Sequence, residues 1–335
     1  MGWGCTILSA ALLLSEVAPA PPPGAVRVGL SLPTQREERW VRDREAMEAA
    51  ARAAGVDLRV ANAENDPAKQ AAQCDRLVAD GVKVLILAPQ DSAAAAGIVE
   101  RASKAGVRVV SYDRLVTLSP QAYHYLSFDN ELVGVLQAQH LAQRAPRGAY
   151  LVLTGAPTDN NAALFAFGAK RVLQPLVDRG DVRVVLDQPV KDWRPDEAER
   201  LCTQALRANG GRLDAVLAPN DGTAGGCIRA LEAAGLAGRV PVTGQDAELA
   251  AARRLVKGTQ TMTVFKDTRA LGRRAIEMAL ALAKGEPVET RGRTVHNGKR
   301  AVPSVLLPPV AVTRENLDAV LVQSGYLTRA AVHGD

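Results

Sequence analysis

The sequence predicts an α/β protein made of two successive units, each built around a parallel sheet. Three observations carry that prediction. Short, continuously apolar runs alternate with helical segments of roughly fifteen residues, the pattern of strands buried on both faces and the helices that cover them. The helices stop at glycine, which takes a left-handed cap at least cost. Near residue 149 the same alternation starts again, without an obvious sequence repeat.

In order, strands are expected over 26–32, 57–61, 82–88, 107–111 and 123–128. Helices over 37–54, 67–79 and 92–105 separate the first four and end at Gly55, Gly81 and Gly106. A helix over 130–145, entered through Asp129-Asn130, leads into the second series. That series has strands over 149–153, 182–186, 213–218, 240–243 and 261–265, with helices over 160–177, 196–208 and 248–256. The stretch 213–246 is the clearest unit of all. An apolar run ends in Asn220-Asp221, a helix carrying Ile228, Leu231 and Ala234 stops at Gly235, and a second run ends in Gln245-Asp246. Strand, helix, strand in about thirty residues is a right-handed βαβ crossover. A helix over 269–283, closed by Gly285, completes the series, and 286–335 reads as crossing segments and a tail.

Composition narrows the classes. With 335 residues, 47% of them apolar, the chain can fill two cores. The net charge of +5 could suggest a nucleic-acid partner, but no basic run of five or more residues occurs and the cations are mixed with acids. No nucleic-acid partner is expected. Residues 1–24 have the outline of a secretory leader: an apolar stretch over 7–14, then Ala18-Pro19-Ala20 and Pro21 to Pro23, although no Lys or Arg precedes the stretch. Export to the periplasm or the exterior is expected. Cysteines 5, 74, 202 and 227 form no C-x-x-C motif and read as small buried hydrophobes; Cys202 and Cys227, on successive helices, are the pair able to bridge.

Ligands of open α/β sheets bind beyond the carboxyl ends of the strands. The polar residues there are Arg39-Trp40, Asp113-Arg114, Asp159 with Asn161, Trp193, Asn220, Asp246 and Lys266. Asn220 and Asp246 are expected as two walls of one site. No nucleophile–base pair dominates the set, and no metal or cofactor is expected. Acids, amides, cations and flat indoles suit a neutral polyhydroxylated ligand, whose hydroxyls both donate and accept and whose C–H face packs on an aromatic ring. Each residue also has a plainer reading. Asp113 and Arg114 could be a surface ion pair, Trp40 could belong to a core stripe with Met47, and Asn220 or Asp221 could cap the helix that follows. Asp221 is expected to be the cap and Asn220 the ligand contact.

The chain resembles the D-xylose-binding proteins of bacterial sugar ABC transporters, within the type I periplasmic binding proteins. The matching stretches include Glu38-Arg39-Trp40, Ser111-Tyr112-Asp113-Arg114, Ser127-Phe128-Asp129-Asn130, Asp159-Asn160-Asn161-Ala162, Gly244-Gln245-Asp246-Ala247 and Gly258-Thr259-Gln260-Thr261-Met262-Thr263-Val264. They span roughly 26–325, nearly the whole mature chain. The resemblance implies two Rossmann-like lobes joined by three crossings near 130, 265 and 303. One lobe would comprise 25–130 and 266–303, the other 131–265 and 304–330. It implies sugar contacts from Arg39, Asp113, Arg114, Asp159, Asn161, Trp193, Asn220, Asp246 and Lys266, with Trp40 as an apolar wall. It also implies a monomer that closes on D-xylose and docks on a membrane permease.

Two other classes fit less well. A repressor of the same fold needs a DNA-binding segment of about sixty residues ahead of its first strand, and fewer than thirty stand there. An enzyme would show a phosphate loop, a dinucleotide fingerprint or a nucleophile elbow, and none of these motifs is present. Among binding proteins the rival ligands are glucose, arabinose and ribose, which a list of polar residues does not separate.

Overall fold

The computed structural model describes Pro22 and residues 24–334, so the leader expected over 1–24 lies almost wholly outside the described residues. The first lobe is organised by a seven-stranded sheet in the order β10-β11-β5-β4-β3-β1-β2. Its members are β1 (Arg27–Leu32), β2 (Asp57–Asn62), β3 (Val84–Leu87), β4 (Arg108–Tyr112), β5 (His124–Phe128), β10 (Thr294–His296) and β11 (Ala301–Leu307). All pairings are parallel except β10 with β11. Helices α1 (Glu38–Ala53) and α9 (Thr268–Lys284) cover one face around Val28, Leu30, Ile86, Met47 and Ile276. Helices α2 (Pro67–Ala79) and α3 (Ala96–Lys104) cover the other face around Cys74, Leu85 and Ile98.

The second lobe repeats the plan. Strands β6 (Gly148–Thr154), β7 (Val182–Pro189) and β8 (Ala215–Leu217) pair in parallel in the order β7-β6-β8. Single bridges, Val216 to Val242 and Gln245 to Val264, carry the layer on to β9 (Thr263–Phe265), which pairs antiparallel with β12 (Val310–Val312). Helices α4 (Asn130–Arg144) and α5 (Asn160–Asp178) pack one face, and α6 (Pro195–Ala208) and α7 (Asp221–Ala233) pack the other. Cys202 and Cys227 are free and fully buried in that second core, and Cys74 is free and buried in the first lobe.

Three chain passages join the lobes: β5 into α4, β9 into α9, and β11 into β12. The third was expected near 303 and falls later. Ser304 to Leu307 pair in register with Tyr125 to Phe128, and the pairing ends where Pro308-Pro309 remove two ladder donors. Residues 304–307 therefore belong to the first lobe's sheet. The end of the chain is not a loose tail. Leu317, Leu321, Tyr326, Leu327 and Val332 bury themselves with Ala252 and Leu255 of α8 (Leu249–Lys257), and a short helix α10 (Arg329–His333) closes the chain. Its apolar residues lie on one-turn elements too short to show a helical period in the sequence.

Candidate functional site

The carboxyl ends of both sheets face one cleft. It leaves a cavity of only about 30 Å³ and is lined by Arg39, Trp40, Asp113, Arg114, Asp159, Asn161, Trp193, Asn220, Asp246 and Lys266, together with Glu37, Phe165 and Gln245. All ten residues singled out in the sequence thus meet in one place, and all ten are buried.

The first lobe supplies the arginines. Arg39 and Trp40 occupy the first turn of α1, while Asp113 and Arg114 follow β4 directly. Arg39 Nη1 lies 2.8 Å from Asp113 Oδ2 and 3.6 Å from Asp246 Oδ1 across the cleft. Arg114 Nε reaches Asp159 Oδ2 of the other lobe at 2.8 Å. These are buried pairs with intact partners, not the exposed surface pair that Asp113-Arg114 could have been. The Trp40 ring is part of the first lobe's core and carries the Arg39 and Arg114 guanidinium groups at 4.5 and 5.2 Å from its centroid. Its core and cleft roles coincide: it is a platform for both cations.

The second lobe presents helix starts and turns. Asp159 caps α5 by accepting from Asn161 N at 2.9 Å. Asn161 Nδ2 donates across the cleft to Asp113 O and Oδ1, both at 3.1 Å, while its Oδ1 accepts from Asn130 Nδ2 at 3.0 Å. Asn220 is the N-cap of α7 in a reciprocal box with Thr223, which corrects the expectation that Asp221 would hold that place. Asp221 is instead buried one position on, accepting from Gln260 Nε2, Thr263 Oγ1 and Glu248 N. The cap engages Asn220 Oδ1 and leaves its amide nitrogen as the part for the cleft. Asn220 and Asp246, expected as two walls of one site, both line the cleft from the second lobe, their strands neighbours through the Val216–Val242 bridge. Gln137 of α4 ties both strand ends together, its Nε2 donating to Gly244 O at 3.0 Å and to Ala218 O and Pro219 O at 3.3 Å.

Three cleft residues have left-handed backbone: Asp113 at φ 58°, Trp193 at φ 57° and Asp246 at φ 93°. Such conformations cost on the order of 1–3 kcal/mol each and persist only where the surroundings impose them. Asp113 N donates to Leu126 O and Asp246 N to Val264 O, both at 2.8 Å. Trp193 is held edge-on to Phe165, with centroids 6.4 Å apart.

Among the ten, Arg39, Arg114 and Lys266 face Asp113, Asp159 and Asp246, three cations for three carboxylates, and Glu37, a fourth carboxylate of the lining, pairs with Arg36 outside it. Lys266 Nζ sits 3.2 Å from Asp246 Oδ1 and 3.8 Å from Asp113 Oδ2. Burial pushes the Asp113 carboxyl up, but Arg39, Lys266 and Arg114 outweigh it and hold it below the usual range. For Asp159 burial prevails over Arg114 and the carboxyl is raised. Several polar atoms here are buried without a hydrogen-bond partner: Trp193 Nε1, Gln245 Oε1 and Glu37 Oε2. Asp113 Oδ2 and Asp246 Oδ1 have cations beside them but no aligned hydrogen bond.

Residues 28–287 match the family described as periplasmic binding protein domain. The chain belongs to the periplasmic binding proteins. It is 39% identical over 308 residues to the D-xylose-binding periplasmic protein of Haemophilus influenzae, which covers 92% of each chain. It is also 39% identical over 319 residues to the D-xylose-binding periplasmic protein of Escherichia coli, covering 95% of this chain and 96% of that one. A carbohydrate transporter solute-binding protein from Chloroflexus aurantiacus, solved with D-glucose, shares the fold at a TM-score of 0.85 and 36% identity, over 91% of this chain and 97% of that one. Among the described residues no helix is long and apolar enough to cross a membrane.

In this binding protein, three cleft residues escaped the sequence reading, and two had a usable signal. Gln245 precedes Asp246 at the same strand end, so the strand-end rule covers it. Phe165 is four residues past Asn161, on the same face of α5. Glu37 lies just outside α1 as its N-cap position, where the residue type says little.

Proposed function

We propose that this protein is an exported solute-binding protein that captures D-xylose between its lobes and delivers it to the permease of an ABC transporter. It works as a monomer and without a cofactor, and it carries out no catalysis. The observation that carries this reading is the meeting of all ten residues, three cations and three carboxylates among them, in one cleft containing buried, unpartnered polar atoms. Buried polar atoms without partners are rare in folded proteins and need an explanation. The hydroxyls of a neutral sugar supply both donors and acceptors for them, and cations already matched by carboxylates disfavour a sugar acid or phosphate. The two relatives named for D-xylose favour the pentose. D-Glucose is the second reading, favoured by the glucose-bound neighbour of the same fold.

The lobes supply the mechanism. Arg114, Arg39 and Asp113 in one lobe meet Asp159, Asp246 and Asn161 in the other, so closure completes the ligand's hydrogen bonds from both sides. A thermal-shift panel of D-xylose, D-glucose, L-arabinose and D-ribose tests the assignment. A ligand at a thousandfold excess over its Kd stabilises the folded state by about 4 kcal/mol. The largest rise in Tm is expected with D-xylose. A larger rise with another sugar would replace the ligand, and no rise with any of the four would remove the sugar reading.

A further inference from the structure

Asp43 is fully buried, lies one helical turn past Arg39 on α1, and is absent from the cleft lining. Its Oδ2 accepts from Arg39 Nε at 3.0 Å and from Arg39 Nη2 at 2.8 Å. Its Oδ1 accepts from the hydroxyl of Tyr112, the fully buried last residue of β4 and the immediate neighbour of Asp113. A carboxylate placed in an apolar core is costly unless its partners are well aligned. Here each oxygen has a partner, and the carboxylate grips one edge of the guanidinium. The Nη1 corner is left pointing at Asp113 and Asp246.

We propose that Asp43, itself held by Tyr112, is the positioning residue that aims Arg39 into the cleft and fixes which guanidinium nitrogen meets the ligand. The proposal rests on the reading of Arg39 as a sugar contact. Without Asp43 the freed edge of Arg39 turns to the two cleft carboxylates and competes with the sugar hydroxyls for them. A hydrophobic residue at 43 would fill the same space but give the guanidinium no direction.

The test is a double-mutant cycle read by calorimetric titration with D-xylose. Asp43→Asn keeps the size of the side chain and removes its charge. We expect it to weaken binding about tenfold or more in the otherwise native protein, the scale of one charge-assisted hydrogen bond. In an Arg39→Lys background, where no guanidinium edge exists to be gripped, the same change should cost less than about threefold. If Arg39→Lys alone leaves affinity intact, the assignment of Arg39 to the sugar fails. If Arg39→Lys weakens binding but Asp43→Asn does not, or if the two losses simply add, Asp43 does not act through Arg39 and the proposal is overturned. Should Asp43→Asn fail to fold, Tyr112→Phe removes only the hydroxyl that holds Asp43. It is then expected to lose affinity in the native background and not in Arg39→Lys, with equal losses in both overturning the proposal.

Discussion

The two walls of the cleft are held in different ways. On the first lobe, side chains hold side chains: Tyr112 holds Asp43, Asp43 grips Arg39, Arg39 meets Asp113, and Trp40 carries both arginines. On the second lobe the backbone does the holding. Asp159 and Asn220 are helix caps, Trp193 and Asp246 sit in left-handed turns (a device the first lobe shares at Asp113), and Gln137 ties the strand ends together. The difference teaches where each wall is vulnerable. Changing a charge should damage the first wall through its neighbours, whereas the second should yield to changes in helix ends and turn geometry.

Asp246 is where the walls meet, so its loss should have the largest effect. In Asp246→Ala, Lys266 loses its 3.2 Å partner and Arg39 its cross-cleft carboxylate. Removing one member of a buried pair costs about 3–5 kcal/mol, and tight sugar binding should disappear. Affinity retained within about tenfold, the equivalent of 1.4 kcal/mol, would remove Asp246 from the site. Gly155→Ala attacks the second wall by shape alone. A methyl group there would stand 2.0 Å from Trp193 Cη2, so the indole must move. Overpacking of this kind costs about 1–3 kcal/mol, and both Tm and sugar affinity should fall. A variant with an unchanged melt and unchanged binding would show that the indole position does not matter.

Smaller effects separate cap from contact. Asn220→Asp keeps an oxygen for the Thr223 cap but loses the amide nitrogen, while Asn220→Ala loses both. The alanine variant should be less stable by about 1 kcal/mol, and the aspartate variant close to native in Tm but weakened in binding. Equal stability of the two would mean that the cap contributes nothing.

The smallest effect is in titration. Burial raises Asp159, and the three surrounding cations lower Asp113 against the pull of burial. A raised carboxyl contributes stability that is fullest below its unfolded value and shrinks as pH rises through its folded value. A depressed one contributes stability present above the unfolded value and lost as pH falls through the folded value. On acidification from neutral pH, Asp159 should therefore take its proton before Asp113, with the ordinary value of 3.8 between them. Carboxyl-carbon NMR reads the order directly, and the reverse order would contradict the electrostatic account of the walls.

Much of this was legible in the sequence because strand ends are where α/β sheets hold ligands. Asn220 and Asp246 needed only the recognition of one βαβ unit. The residues that hold the first wall were not legible in the same way. Asp43 reads as one more charge among Arg42, Arg44 and Glu45, and only the fold shows that it points inward toward Tyr112. That Asn220 rather than Asp221 caps α7 escaped because both residue types cap helices well and one position decides between them. The third crossing slipped because 301–307 is an apolar run that either lobe's sheet could have taken, and its pairing with β5 is set by tertiary contact.

The measurement that tests the central claim most directly is calorimetric titration of D-xylose into the native protein beside one variant from each wall, Arg114→Ala and Asp159→Asn. One-to-one binding is predicted for the native protein, with a loss of about tenfold or more in each variant, because the sugar is held from both sides. Native binding that survives removal of either wall's residue, or no binding of xylose or any other monosaccharide, would contradict it.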